Sequence, residues 1–195
     1  MRSRHVLAGI IAAGAAVAFP LRAAETVHAV DAGTRIESWE VRTQGVSLRL
    51  AQILPDQVRG FYLARGFDPG SVERLATGAC VFQTILRNES VKGAIEFNLA
   101  DWRIITAKGE QPLTLEREWQ QEWQRRGVPA AARTAFRYAF YPTEHRYEPG
   151  DWNMGMTTCA LPLGSRFDLR FVWRENGARR EAVLRGVRCA RETPP

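Results

Sequence analysis

The run FDLRFVWRENGARREAVLRGV (Phe167–Val187) has the pattern of a β-hairpin. Phe167, Leu169, Phe171 and Trp173 alternate with Asp168, Arg170 and Val172, so most of the apolar side chains lie on one face of a strand. Glu175-Asn176-Gly177 follows, and Asn-Gly supplies the two positive-φ residues of a type I′ turn. Ala182 to Val187 is the returning strand. Leu163-Gly164-Ser165 gives the turn before it.

The same two-residue period appears elsewhere. Arg35 to Val41 reads as extended, with Ile36, Trp39 and Val41 among polar residues. Val46 to Leu50 alternates and runs on toward Ile53. Cys80 to Leu86 is β-branched and aromatic, and Asn88-Glu89-Ser90 after it reads as an exposed turn. Ile95 to Leu99 alternates strictly, with Trp102 to Ile105 continuing beyond a bulge. Phe136, Tyr138 and Phe140 alternate over Ala135–Tyr141 and predict another strand. Trp152 to Leu161 is one more, entered through the turn Glu148-Pro149-Gly150-Asp151.

Helical spacing is confined to three places. Leu115, Trp119 and Trp123 recur every fourth residue and predict an amphipathic helix over Leu113–Arg126, stopped at Gly127. Gln57–Arg65 and Ser71–Leu75 read as short helices in a crossover. About seven strands with one packed helix and a helical crossover predict a mainly β, antiparallel sandwich.

The chain has 195 residues and a formal charge of +6. Residues 1–24 read as a Sec-type signal peptide: Arg2 and Arg4 precede the apolar run Val6–Phe19, and Ala23-Ala24 offers a cleavage site. Val27-His28-Ala29 is a later option, and an uncleaved anchor is the alternative. Removing 1–24 takes away Arg2, Arg4 and Arg22 and no acid, so +6 becomes +3. One β-sandwich domain is expected over 30–191, with 192–195 as a tail. Basic residues form no stripe. The cluster Arg174, Arg179, Arg180 and Arg185 is interleaved with Glu175 and Glu181, so nucleic acid is not an expected partner. A soluble periplasmic protein is expected, with no stable membrane insertion once the signal is removed and with an unidentified protein or small ligand as its partner.

Three cysteines remain in such a chain, and an oxidising compartment favours one pair. Three pairings are open. Cys80–Cys189 is favoured because both residues stand at strand ends, which leaves Cys159 free. Met154 and Met156 share a face of the predicted strand, and soft sulfur suits Cu(I). With His145 in the preceding turn and Trp152 as a lid, they form a candidate copper site; packing methionines are the plainer alternative. Cys159 with His145 or His28 is a second, nucleophilic possibility, although no G-x-S-x-G, His-Glu-x-x-His or Cys-x-x-Cys motif is present. Asp101 with Glu116, Glu118 and Glu122 is a candidate set for a cleft with carboxylate chemistry; Glu118 and Glu122, at i and i+4 on the helix, read more plainly as a solvated face. Trp119, Trp123 and Trp152 are candidate partner-binding residues if they share one exposed face, and sheet-packing residues otherwise.

The run PGDWNMGMTTCALPLGSRFDLRFVW (Pro149–Trp173) resembles the late strands of bacterial exported immunoglobulin-like domains: a Pro-Gly-acid turn, a strand, a small-residue turn and an alternating strand. The resemblance extends over Val46–Leu54 and Cys80–Cys189, and the helix at Leu113–Arg126 departs from it. It implies an immunoglobulin-like sandwich and a non-enzymatic binding or accessory role, and it carries over no catalytic residues.

Overall fold

The computed structural model describes residues 25–90 and 92–192. The expected signal peptide, and the tail beyond residue 192, lie outside them. Among the described residues there are eleven strands, all paired antiparallel in two sheets, and four α-helices.

Sheet A has the order β1 (Thr26–Val30), β2 (Glu37–Thr43), β3 (Val46–Gln52), β4 (Cys80–Asn88), β9 (Trp152–Cys159). Sheet B is built on β10 (Arg166–Glu175), which pairs along its length with β11 (Ala178–Arg188). On its other side β10 meets β6 (Arg103–Thr106) and β5 (Ile95–Asn98); these in turn carry β7 (Gly109–Gln111) and β8 (Glu144–Tyr147). The β10–β11 turn takes positive φ at Asn176 and Gly177, as the Asn-Gly signal requires. The ladder slips between Phe167 and Leu169, where Gly186 at φ +68 donates its N–H to Asp168 Oδ1 at 2.7 Å.

The sheets face each other across one core. Sheet A contributes Trp39, Val41, Leu48, Leu50, Phe82 and Leu86, and sheet B contributes Phe97, Phe167, Leu169, Phe171 and Trp173. Cys80, in sheet A, is disulfide-bonded to Cys189, at the end of β11, and so ties one sheet to the other. Cys159 is free and buried, and it stands opposite Cys80 in the β4–β9 ladder.

A second core lies on the outer face of sheet A. Helices α1 (Pro55–Leu63), α2 (Pro69–Gly78), α3 (Glu116–Arg125) and α4 (Ala130–Ala139) bury Tyr62, Phe67, Leu75, Trp119, Trp123 and Phe136 over Val81 and Met156. The chain is therefore layered as helices, sheet A and sheet B, with more helix than one packed element and a crossover. Thr158 in β9 fixes the layer: its Oγ1 accepts from Trp119 Nε1 at 2.8 Å and donates to the Thr114 carbonyl at 3.0 Å.

Two local expectations are corrected. The segment with alternating aromatics is helix α4, not a strand. Ala132, Phe136 and Phe140 are buried at a spacing of four, while Tyr138 points away. The alanines before them favour helix. Asn88 is not in an exposed turn either. It is fully buried, its Nδ2 donates to the carbonyls of Gly93 and Tyr147, and its Oδ1 accepts from Ser90 N–H.

Behind α4 the chain crosses β9 so closely that a Cβ on Gly155 would lie 2.7 Å from the Tyr141 backbone. Tyr141 N–H meets the Met156 carbonyl there at 2.8 Å. Gly155→Ala is expected to lower stability by about 1–3 kcal/mol through overpacking. Urea unfolding checks this, and an unchanged midpoint contradicts the close crossing.

Candidate functional site

β9 presents Trp152, Met154 and Met156 on the outer face of sheet A, and the register extends each of them into a cross-sheet row. Met154 stands beside Ile85 of β4, which stands beside Arg49 of β3; Met156 stands beside Gln83, beside Ala51; Trp152 stands beside Arg87, beside Ser47. The helical layer covers the Met156 end of this face and stops short of the rest. What remains is a groove of about 680 Å³. Its floor includes Arg49, Gln83 and Met154. Its walls are Phe61 and Tyr62 of α1, Tyr138 of α4, and the Asp31–Ile36 turn.

The groove holds large apolar groups that folding leaves in water. Tyr138 is 79% exposed, Met154 49% and Phe61 38%, and Trp152, one row further along, is 51% exposed. Guanidinium groups lie over these rings: Arg65 over Phe61 at 3.3 Å, Arg137 over Tyr138 at 5.5 Å and Arg87 over Trp152 at 5.6 Å. At the covered end Met156 Sδ accepts the Tyr62 hydroxyl at 3.3 Å, and burial pushes the Tyr62 pKa up, so the hydroxyl stays a donor. Asp31 turns its carboxylate onto its own loop, accepting from the N–H groups of Thr34 and Gly33 and from the Thr34 hydroxyl. Those bonds, the Thr34 N–H first, hold it below the ordinary carboxylate range.

The expected copper set is not assembled. Met154 and Met156 do share a face, but His145 belongs to β8 of sheet B, where it packs edge-on against Tyr147 at 5.0 Å. It lines a different cleft of about 340 Å³ with Glu96, Asp101 and Glu144. No His or Cys among the described residues lines the groove that holds the methionines. Among the described residues no group of three or more His, Cys, Asp or Glu is placed to hold a metal.

The Cys–His pair is not brought together either. Cys159 lies in the inter-sheet core, where burial alone pushes its thiol pKa up and keeps it protonated. His28 stacks on Trp39 at 5.1 Å, and its Nε2 pairs with Glu37 Oε2 at 2.9 Å. Of the acidic residues of α3, Glu118 accepts from Leu115 N–H and Glu122 pairs with Arg125 and Arg126, while Glu116 Oε1 is buried with no hydrogen-bond partner among the described residues.

Trp119 and Trp123 do not join Trp152 on an exposed face. They stack on each other at 5.0 Å, buried in the helical core. Tyr138 and Phe61, which sequence reasoning did not single out, take their place as the exposed aromatics. Tyr138 had one legible signal, since it sits on the opposite side of the turn from Phe136 and Phe140 once the segment is read as a helix.

No protein-family model matches this chain, and no curated protein matches it at a significant level. Among the described residues no helix is long and apolar enough to cross a membrane.

Proposed function

We propose that this chain is an exported, periplasmic, non-enzymatic binding module of immunoglobulin-like architecture, and that the groove on the outer face of sheet A holds a small ligand. The observation that carries this reading is the groove itself. Its volume falls in the range of about 300–1,000 Å³ usual for small-molecule sites, and Phe61, Tyr138 and Met154 remain exposed in it. Two facing antiparallel sheets joined by Cys80–Cys189 support the architectural part. The disulfide-forming pair and the signal-like composition of residues 1–24 support export. The copper alternative keeps two thioethers, one of them already accepting the Tyr62 hydroxyl, and gains no third ligand from the groove.

Titration with the neutral fluorophore N-phenyl-1-naphthylamine tests the reading. Wild type is expected to bind one equivalent with enhanced emission. Tyr138→Ser with Met154→Ser removes exposed apolar area from the groove and is expected to weaken binding at least about tenfold. Its unfolding free energy is expected to stay within about 1 kcal/mol of wild type, since Tyr138 is largely exposed and Met154 half-exposed. No binding by wild type, or undiminished binding by the variant, overturns the reading.

A further inference from the structure

The groove has a charge asymmetry that its apolar walls do not explain. Arg49 stands on its floor, and one of the five donors of its guanidinium goes to Ser38 Oγ at 3.4 Å. Among the described residues Arg49 has no carboxylate within ion-pair distance, and neither have Arg65 and Arg137, which lie over the aromatic walls. Among the described residues Asp31 is the one carboxylate lining the groove, and it accepts hydrogen bonds from its own turn. Elsewhere some arginines are paired, among them Arg42 with Glu40, Arg59 with Asp56 and Glu73, Arg146 with Glu96, Arg170 with Glu110 and Arg188 with Glu37, while others, such as Arg103, Arg117 and Arg166, have no ion pair among the described residues. What sets Arg49 apart is its place: it lines the groove where Phe61, Tyr138 and Met154 leave apolar surface open.

Resting on the binding reading above, we infer that the ligand is an amphipathic organic anion, with an apolar body against Met154, Phe61 and Tyr138 and an anionic head on Arg49. The ladder sets the scale. Arg49, Ile85 and Met154 are successive neighbours across three strands, so about 10 Å separates the head position from the body position. A free molecule of this kind fills the groove, and its head supplies the anionic partner that Arg49 lacks among the described residues. Charge-assisted hydrogen bonds from a planar guanidinium suit a carboxylate or sulfonate.

Two probes with one ring system separate the parts of this inference. N-phenyl-1-naphthylamine is neutral, and 8-anilinonaphthalene-1-sulfonate adds a sulfonate. Wild type is expected to bind the sulfonate about tenfold or more tightly than the neutral probe. Arg49→Gln is expected to bring the two affinities together by weakening the sulfonate about tenfold. Arg166→Gln removes the same charge from a different cleft and is expected to keep the wild-type preference. Equal affinities in wild type, a preference that survives Arg49→Gln, or one lost equally in Arg166→Gln overturns the anionic head while the groove stands. Failure of both probes to bind overturns the groove reading itself, and this inference with it.

Discussion

Cys189→Ser is expected to cost up to about 4–5 kcal/mol and to produce a disulfide that wild type lacks. The cost follows from the loop: Cys80 and Cys189 are 109 residues apart, and on the chain-entropy model closing a loop of that size stabilises by about that amount. The new bond follows from the ladder. Cys80 and Cys159 are direct partners between β4 and β9, and partners in an antiparallel ladder have Cα atoms about 4.5–5.5 Å apart. That lies inside the range a disulfide spans, about 4.4–6.8 Å. In wild type Cys159 is shut in the core with a raised thiol pKa and meets a Cys80 that is already bonded. Freed of Cys189, Cys80 has Cys159 beside it. Peptide mapping of the oxidised variant is expected to find Cys80–Cys159, and urea unfolding to show partial recovery of stability. Cys159→Ala in the same background is expected to show the full loss. Two free thiols in oxidised Cys189→Ser contradict the placement of Cys159.

Trp123→Ala is the other large effect, expected at about 3–5 kcal/mol. Trp123 is fully buried, stacks on Trp119 at 5.0 Å and meets Phe67 and Phe136 edge-on at 5.5 Å each. Phe136 continues the cluster to Tyr62 at 5.3 Å and to Phe140 at 5.0 Å. Its removal leaves a cavity between α3 and the two helices, α1 and α4, that wall the groove. Probe binding is therefore expected to weaken, although Trp123 does not line the groove. The indole N–H meets no acceptor among the described residues, so Trp123→Phe strands no partner and is expected to lose much less. Thermal unfolding and the near-ultraviolet signal of the stacked Trp119–Trp123 pair report both variants. Equal losses for Ala and Phe contradict the packing account.

Where one pattern fits only one period, the sequence was legible. Phe167 to Trp173 and Asn176-Gly177 specify the β10–β11 hairpin with little competition, and Leu115, Trp119 and Trp123 specify α3. The Cys80–Cys189 pair followed from two cysteines at strand ends. Phe136, Tyr138 and Phe140 misled because residues at i, i+2 and i+4 satisfy a strand, while i and i+4 alone satisfy a helix face. β1 and β8 went unread because they are short, mostly exposed and carry no alternating apolar set. The floor of the groove was partly legible: the spacing of Met154 and Met156 put them on one face. The walls were not, because Phe61 and Tyr138 come from helices whose docking no local pattern encodes. His145 lies close to Met154 in sequence, yet β8 pairs with β5 in the other sheet, a separation set by topology alone.

The central claim is that the groove over β9 is where a ligand sits. Methyl-carbon NMR of protein labelled at methionine tests it most directly, with N-phenyl-1-naphthylamine as titrant and Met154→Leu to assign the signals. Met154, exposed on the groove floor, is expected to shift strongly and saturably, and Met156, buried at its covered end, to shift less. Saturable binding that leaves the Met154 methyl unmoved places the ligand elsewhere and contradicts the account.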